Sequence, residues 1–238
     1  MGKSGYFRKY TQYYAQTDEK VIARGMLEKL LGDVKFSKAL DVGAGAGEMT
    51  LPLYQRASAL TLLEKRPEYE EKLSALFPGA CVLIDSINEA QFSDRFDCIL
   101  YSHGLYYQKD WMAICNQLLN LLSPGGKLIV IMNVDSGDWW SLVSKYSAIK
   151  EFSYTPFSQF KKELEKKLKM DSHPFSYSVG FGSADELISF IGETVLGISK
   201  AEVFMEHFES ISFDARRFLQ KYGSFKMKWD AEILVIQK

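Results

Sequence analysis

Three glycines at alternate positions, Gly43, Gly45 and Gly47, follow a short apolar run at residues 39–42 that contains Asp41. Glycine accepts positive φ and has no Cβ, so such a turn lets a ligand lie against bare backbone amides. Strand, glycine turn and helix in succession form a nucleotide-binding arrangement. The spacing is G-x-G-x-G, and Glu48 stands where a dinucleotide fingerprint would carry its third glycine, which sets the motif apart from the usual NAD pattern. Glu64 comes 21 residues after Gly43 and ends a second apolar run, 59–64. That spacing suits a carboxylate accepting hydrogen bonds from both hydroxyls of a ribose. The plainer alternative is a solvated acid beside Lys65 and Arg66. His103 leaves a fourth apolar run, 96–102, within Ser102-His103-Gly104-Leu105-Tyr106-Tyr107. Open α/β sheets bind ligands at the carboxyl ends of their strands. His103 is therefore placed to act as a general base or as a neutral donor that orients a substrate, with Ser102, Tyr106 and Tyr107 as candidate contacts around it.

The elements that must hold these groups alternate along the chain. Apolar runs predict strands at 39–42, 59–64, 80–84, 96–102 and 127–132, and amphipathic periodicity predicts helices at 19–31, 48–54, 67–77 and 111–122. Ser123-Pro124-Gly125-Gly126 stops the helix before the fifth strand. Beyond it the patterning predicts helices at 138–148 and 157–168, an aromatic loop at 173–181, a helix capped by Ser183 with Glu186 completing a capping box, a strand at 201–208 and a last strand at 229–236. The sum is an α/β chain with a doubly wound, seven-stranded, mostly parallel sheet whose last strand is antiparallel. It reads as one domain over 1–238, with an N-terminal helical lid at 1–34 and an inserted cap at 136–182.

The 238 residues are 47% hydrophobic, enough for a sizeable core. Formal net charge is −1, which supplies no general field for nucleic acid. Cys81, Cys98 and Cys115 form no C-x-x-C and read as reduced core thiols. No apolar run approaches the roughly 18 residues of a membrane span, and no His, Asp, Glu or Cys cluster has metal-ligand spacing. A reduced, cytoplasmic protein, monomeric or homodimeric, without nucleic-acid or membrane partners, is the expectation. Tyr6, Tyr10, Tyr13 and Tyr14 share one helical face, read either as core packing or as an aromatic lid suited to a cationic ligand.

Asp41-Val42-Gly43-x-Gly45-x-Gly47 resembles the first motif of the class I S-adenosyl-L-methionine (SAM) methyltransferases. The acid-tipped second strand, the Asp85-Ser86-Ile87 junction, the apolar fourth strand and Ser-Pro-Gly-Gly-Lys occur in that family's order over residues 35–134. The resemblance implies a Rossmann-like methyltransferase fold that binds SAM and releases S-adenosyl-L-homocysteine (SAH). It makes Asp41, Gly43, Gly45, Gly47, Glu64, Asp85, Ser86, Ile87, Ser102 and His103 the cofactor contacts. In this architecture Asp85 would take the adenine amine, and Ile87 would cover the ring. A cap after the fifth strand commonly walls the acceptor pocket, so Trp139 and Trp140, with Phe175, Tyr177 and Phe181, become candidate liners.

Within that superfamily the chain resembles histamine N-methyltransferase and its bacterial relatives. The pieces are Gly45-Ala46-Gly47-Glu48, Leu105-Tyr106-Tyr107-Gln108-Lys109-Asp110, Ser136-Gly137-Asp138-Trp139 with Lys145-Tyr146, and Ile233-Leu234-Val235-Ile236. Thr17-Asp18-Glu19 resembles the segment that carries that family's acceptor-binding glutamate, which implies Glu19 as counter-ion to a substrate amine, near Tyr14. His103 stands where the family has a glutamine and Trp229 where it has an asparagine, so two of three acceptor contacts differ and histamine itself is disfavoured. The implied reaction is methyl transfer to a small molecule, most simply to nitrogen of an amine or heteroaromatic compound. The alternatives are O-methylation of a hydroxyl or carboxyl, or SAM binding without turnover. A macromolecular substrate is opposed by the near-zero charge and by Ser102-His103-Gly104-Leu105, which stands where an Asn-Pro-Pro-Tyr type tetrapeptide would.

Overall fold

The computed structural model describes residues 16–105, 108–149, 156–198 and 200–238. The first helix, α1 (Glu19–Leu31), buries Ala23, Leu27 and Leu31 at helical spacing and ends at Gly32 (φ +53°). Then come β1 (Phe36–Val42), the single-turn α2 (Leu51–Tyr54), β2 (Ala57–Glu64), α3 (Glu70–Leu76), β3 (Cys81–Ile84), β4 (Phe96–Ser102), α4 (Trp111–Leu121) and β5 (Leu122–Ser136). After β5 follow α5 (Gly137–Lys145), α6 (Phe157–Glu165), β6 (Met170–Gly180), α7 (Ala184–Phe190) with a π-helical turn at Ile191–Val195, α8 (Ala201–Tyr222) and β7 (Lys226–Gln237).

The sheet has seven strands in the order β3-β2-β1-β4-β5-β7-β6. β1 pairs in parallel with β2 and β4, and β7 runs antiparallel to β5 from Lys127↔Gln237 to Asn133↔Ala231. The central strands carry almost unbroken apolar sequence, as strands covered on both faces must; Leu40, Leu62, Ile99, Leu100, Val130 and Leu234 are fully buried. The doubly wound layout with an antiparallel last strand is thus the one expected from sequence.

Two elements differ from the sequence reading. The strand expected at 201–208 is the start of the 22-residue helix α8. An alternating octet cannot be told from a helix end by period alone; the deciding residues lie downstream, where Ile211, Ala215 and Phe218 form a buried stripe. Gly223, in the left-handed conformation at φ +66°, ends the helix. The aromatic loop expected at 173–181 is largely strand β6, in which Phe175, Tyr177 and Val179 alternate inward. Pro174 is tolerated because β6 lies at the sheet edge, where only one side of the strand is paired. Smaller differences follow from backbone chemistry. The helix expected from Glu48 begins only at Leu51, beside Pro52, and Cys81 is exposed while Cys98 and Cys115 are buried.

The chain divides into two compact units: 1–19, 134–154 and 176–230 in one, and 20–133, 155–175 and 231–238 in the other.

Candidate functional site

All ten residues expected to contact a cofactor fall in the second unit. There, the turn after β1 is built by its own amides. The N–H groups of Gly43 and Ala44 both donate to the Leu63 carbonyl (2.7 and 3.0 Å), and Gly47 N–H donates to the Ala44 carbonyl (3.0 Å). Gly43, Gly45 and Gly47 have φ of +69°, +59° and +88°, a region that side chains with a Cβ rarely adopt. A Cβ on Gly47 would lie 2.6 Å from the Phe77 ring.

Gly45 N–H reaches across to β2 and donates to Glu64 Oε2 at 2.8 Å. Glu64 is 2% exposed, and its other oxygen, Oε1, accepts from the Arg66 amide (3.0 Å) and the Arg66 guanidinium Nε (2.8 Å). The Arg66 guanidinium lies over the Tyr69 ring, 4.7 Å from its centroid. Glu64 is thus a buried carboxylate fixed at a strand's carboxyl end, with lone pairs to spare on Oε2. Beneath the turn, Thr50 Oγ1 donates to Asp41 Oδ2 at 2.6 Å. Burial pushes the Asp41 carboxyl up to about 7, against the lowering pull of the Thr50 hydrogen bond; Glu64 and Glu48 push the same way as burial, and Lys20 opposes.

The junction after β3 joins the same assembly. Asp85 N–H donates to the Glu64 carbonyl (3.1 Å), and Asp85 Oδ1 accepts from the Ser86 amide (2.7 Å). Ile87 is buried, and its carbonyl accepts from Gln117 Nε2 on α4 (2.9 Å). After β4, His103 is the one non-glycine residue with positive φ (+53°) among the described residues, and its amide donates to the Ile131 carbonyl (2.9 Å). A non-glycine residue in this conformation is held there by its surroundings. Tyr101 is buried, which pushes its phenol up to about 12, and its ring abuts Gly43 and Gly104. A Cβ on Gly104 would sit 2.1 Å from that ring. Ser102 Oγ is buried without a hydrogen-bond partner among the described residues.

These positions fit an adenosyl amino acid. A ribose needs a fixed carboxylate, its amino acid needs backbone bare of Cβ atoms to lie against, and an adenine needs an acceptor beside an apolar side chain. Glu64, the Gly43–Gly47 turn and Asp85 with Ile87 offer them. The three strand ends are brought together by contacts 19 or more residues apart in sequence, such as Gly45 to Glu64. Sequence reading missed Thr50, Arg66, Tyr101 and Gln108, whose side chains support the turn and the loops. Only a polar residue at an otherwise apolar position, Thr50, carried a local signal.

The expected acceptor residues lie in the first unit, apart from His103 and Phe175 in the second, or outside the described residues. Tyr14, Tyr106 and Tyr107 are in the latter group. Trp229 stands at the centre of an aromatic cluster, with ring centroids 5.6 Å from Trp139, 5.8 Å from Tyr177 and 6.2 Å from Phe190; Trp140 lies 5.8 Å from Trp139. Trp139, Tyr177 and Trp229 are buried, so they form this unit's core. Glu19 is 2% exposed at the first turn of α1, and its amide donates to Thr17 Oγ1 (3.1 Å). Asp138, buried at the start of α5, accepts from Lys221 Nζ (2.8 Å), Tyr222 hydroxyl (2.7 Å) and Lys228 N–H (2.7 Å). Among the described residues no group of three or more His, Cys, Asp or Glu could hold a metal ion, and no helix is long and apolar enough to cross a membrane.

Known proteins share this fold. The N-methyltransferase NodS from Bradyrhizobium japonicum WM9, solved with SAH, superposes with a TM-score of 0.56 at 15% identity, over 91% of this chain and 85% of that one. The plantazolicin methyltransferase BpumL, solved with SAH and a desmethylPZN analog, gives 0.54 at 14% identity over 99% and 88%. YcgJ from Bacillus subtilis gives 0.66 at 13% identity over 90% and 97%. At such identities the likeness is one of fold. An uncharacterized methyltransferase of Mycobacterium tuberculosis is 28% identical over 97 residues, and the match spans 40% of each chain. A family profile described as a methyltransferase domain matches residues 9–167. The matched residues make up more than half of the chain, and the chain belongs to this methyltransferase-domain family.

Proposed function

We propose that the protein transfers a methyl group from SAM to a small-molecule acceptor, with nitrogen of an amine or heteroaromatic compound as the first candidate. The observation that carries the reading is the convergence of the glycine turn, Glu64 and Asp85 at adjoining strand ends, with His103 set at the end of the next strand in a strained conformation. Two solved relatives carrying SAH point the same way, one of them named an N-methyltransferase.

Bound SAM supplies an electrophilic methyl on a sulfonium, so the methyl–sulfur bond breaks as the acceptor–methyl bond forms. The chain's tasks are to hold donor and acceptor in line and to keep the nucleophile unprotonated. Glu64 holds the ribose, the Cβ-free backbone of the Gly43–Gly47 turn lies against the amino-acid portion, and Asp85 and Ile87 hold the adenine. Asp41 acts beneath the turn, through Thr50. His103 receives the acceptor's proton. Glu19, by the resemblance of Thr17-Asp18-Glu19 to an acceptor-binding segment, is the counter-ion for a cationic amine.

The deciding experiment is a SAM-dependent assay over small amines, imidazoles and phenols, paired with calorimetry. Nitrogen acceptors turning over best, with His103→Ala lowering turnover and leaving SAH affinity in place, supports the reading. Phenols alone turning over moves the acceptor to oxygen. SAH binding with no turnover on any acceptor leaves a SAM-binding protein without catalysis.

A further inference from the structure

Between β4 and α4 lies Gln108, which belongs to a segment that carries the family resemblance, 105–110, but has no part in the proposed reaction. Gln108 Nε2 donates to the Tyr101 hydroxyl at 2.9 Å, and Gln108 Oε1 accepts from Asn88 Nδ2 at 3.4 Å. The two ends of this amide thus point to two different loops. Asn88 closes the turn that begins at Asp85, a turn held by Glu89 N–H and Ala90 N–H donating to the Ser86 carbonyl (3.0 and 2.8 Å) and by Gln117 at the Ile87 carbonyl. Tyr101 lies against the segment that carries His103: its ring fills the space that a Cβ on Gly104 would need, and the same ring edge would lie 3.8 Å from a Cβ on Gly43. Gln108 is also tied by its backbone, since its amide donates to the buried Leu105 carbonyl at 3.1 Å.

We propose that Gln108 is a positioning residue that couples the two loops, so that cofactor held at Asp85 and Ile87 orders the acceptor-facing segment at His103 through Asn88, Gln108 and Tyr101. The inference rests on the acceptor reading for His103. Its physical basis is polarity and stiffness. A carboxamide joined at both ends in opposite senses has one orientation, and a chain of hydrogen bonds strengthens when its members are fixed together. The Asn88–Gln108 bond is exposed and long, so it is the compliant link. Immobilising the 85–88 turn against an adenine removes that compliance, and the loss passes to the Tyr101 ring and the glycine stacked on it.

The test needs no acceptor. Amide hydrogen exchange at Gly43, Gly45, His103, Gly104 and Leu105 is measured with and without saturating SAH, alongside SAH affinity by calorimetry. In the wild-type protein SAH slows both sets, by about fivefold or more at 103–105. Gln108→Leu keeps SAH affinity within about threefold and keeps the slowing at Gly43 and Gly45, but loses it at 103–105. Gln108→Glu retains the coupling, because a carboxylate still accepts from Asn88 and the Tyr101 hydroxyl turns from acceptor to donor. Tyr101→Phe leaves the ring under Gly104 and removes only the oxygen, so it gives the same loss should Gln108→Leu fold poorly. The proposal is overturned if SAH slows 43 and 45 but not 103–105 in the wild-type protein, a result that leaves cofactor binding intact. It is equally overturned if Gln108→Leu and Tyr101→Phe keep the slowing at 103–105, or if they lose affinity and both protections together, as a merely structural pair would.

Discussion

Gly45 N–H donates to Glu64 Oε2 at 2.8 Å, joining the turn after β1 to the tip of β2. One carboxylate therefore shapes the glycine turn and, in the proposed function, also takes the ribose. Glu64→Ala would leave the buried amide of Gly45 and the half-buried amide of Arg66 without their acceptor and should cost about 2–3 kcal/mol of stability, measured by urea denaturation. SAH affinity should fall more than about tenfold (over 1.4 kcal/mol). Unchanged affinity in a folded Glu64→Ala protein would remove Glu64 from the ribose site.

Gly47 and Gly125 separate two costs of adding a methyl group. Both have positive φ, +88° and +77°, but a Cβ on Gly47 meets Phe77 at 2.6 Å while one on Gly125 meets nothing within 4 Å. Gly125→Ala should cost about 1 kcal/mol, from backbone strain alone. Gly47→Ala should cost about 2–4 kcal/mol and weaken SAH binding, and Phe77→Leu in its background should recover only the steric part. Equal losses at the two glycines would show that the Phe77 contact yields freely.

Asp41 makes stability depend on pH in the direction opposite to most carboxylates. Its carboxyl is raised from 3.8 to about 7 on folding, chiefly by burial, so the folded state holds the proton more tightly than the unfolded chain. This group's contribution is fully present below pH 3.8 and is lost as pH rises through about 7. Asp41→Asn, which can still accept from Thr50, should therefore melt higher than wild type at pH 8. The gain should be on the order of 2–4 kcal/mol and shrink toward zero near pH 4. Melting curves from pH 4 to pH 8 read it directly; a gain independent of pH would assign the effect to packing.

Asp138 and Lys221 are bonded at 2.8 Å, yet the two partners should differ greatly in worth. Lys221 is 56% exposed, so Lys221→Met should change stability by less than about 1 kcal/mol. Asp138 is 7% exposed and also accepts from Tyr222 hydroxyl and Lys228 N–H, so Asp138→Ala should cost about 2–4 kcal/mol through those orphaned donors. Denaturant midpoints of the two variants test this; equal losses would make the ion pair itself the dominant interaction.

The sequence alone determined what depends on neighbours along the chain. Alternating glycines after an apolar run permit a positive-φ turn, and a carboxylate ending such a run suits a strand tip, so Gly43, Gly45, Gly47 and Glu64 were legible together with the alternation of strands and helices. Tertiary structure decided what depends on partners far away. Residues 201–208 alternate but belong to a helix because the burial stripe lies at 211–218, and Pro174 breaks a strand except at an edge, which only the strand order supplies. Trp229 reads as an acceptor contact in one dimension, and in three it lies among aromatic rings, since Trp139, Tyr177 and Phe190 reach it from positions 39 to 90 residues away. Likewise the link from Asn88 through Gln108 to Tyr101 has no sequence signature: amide and phenol are ordinary residue types, and only folding sets them within hydrogen-bond reach.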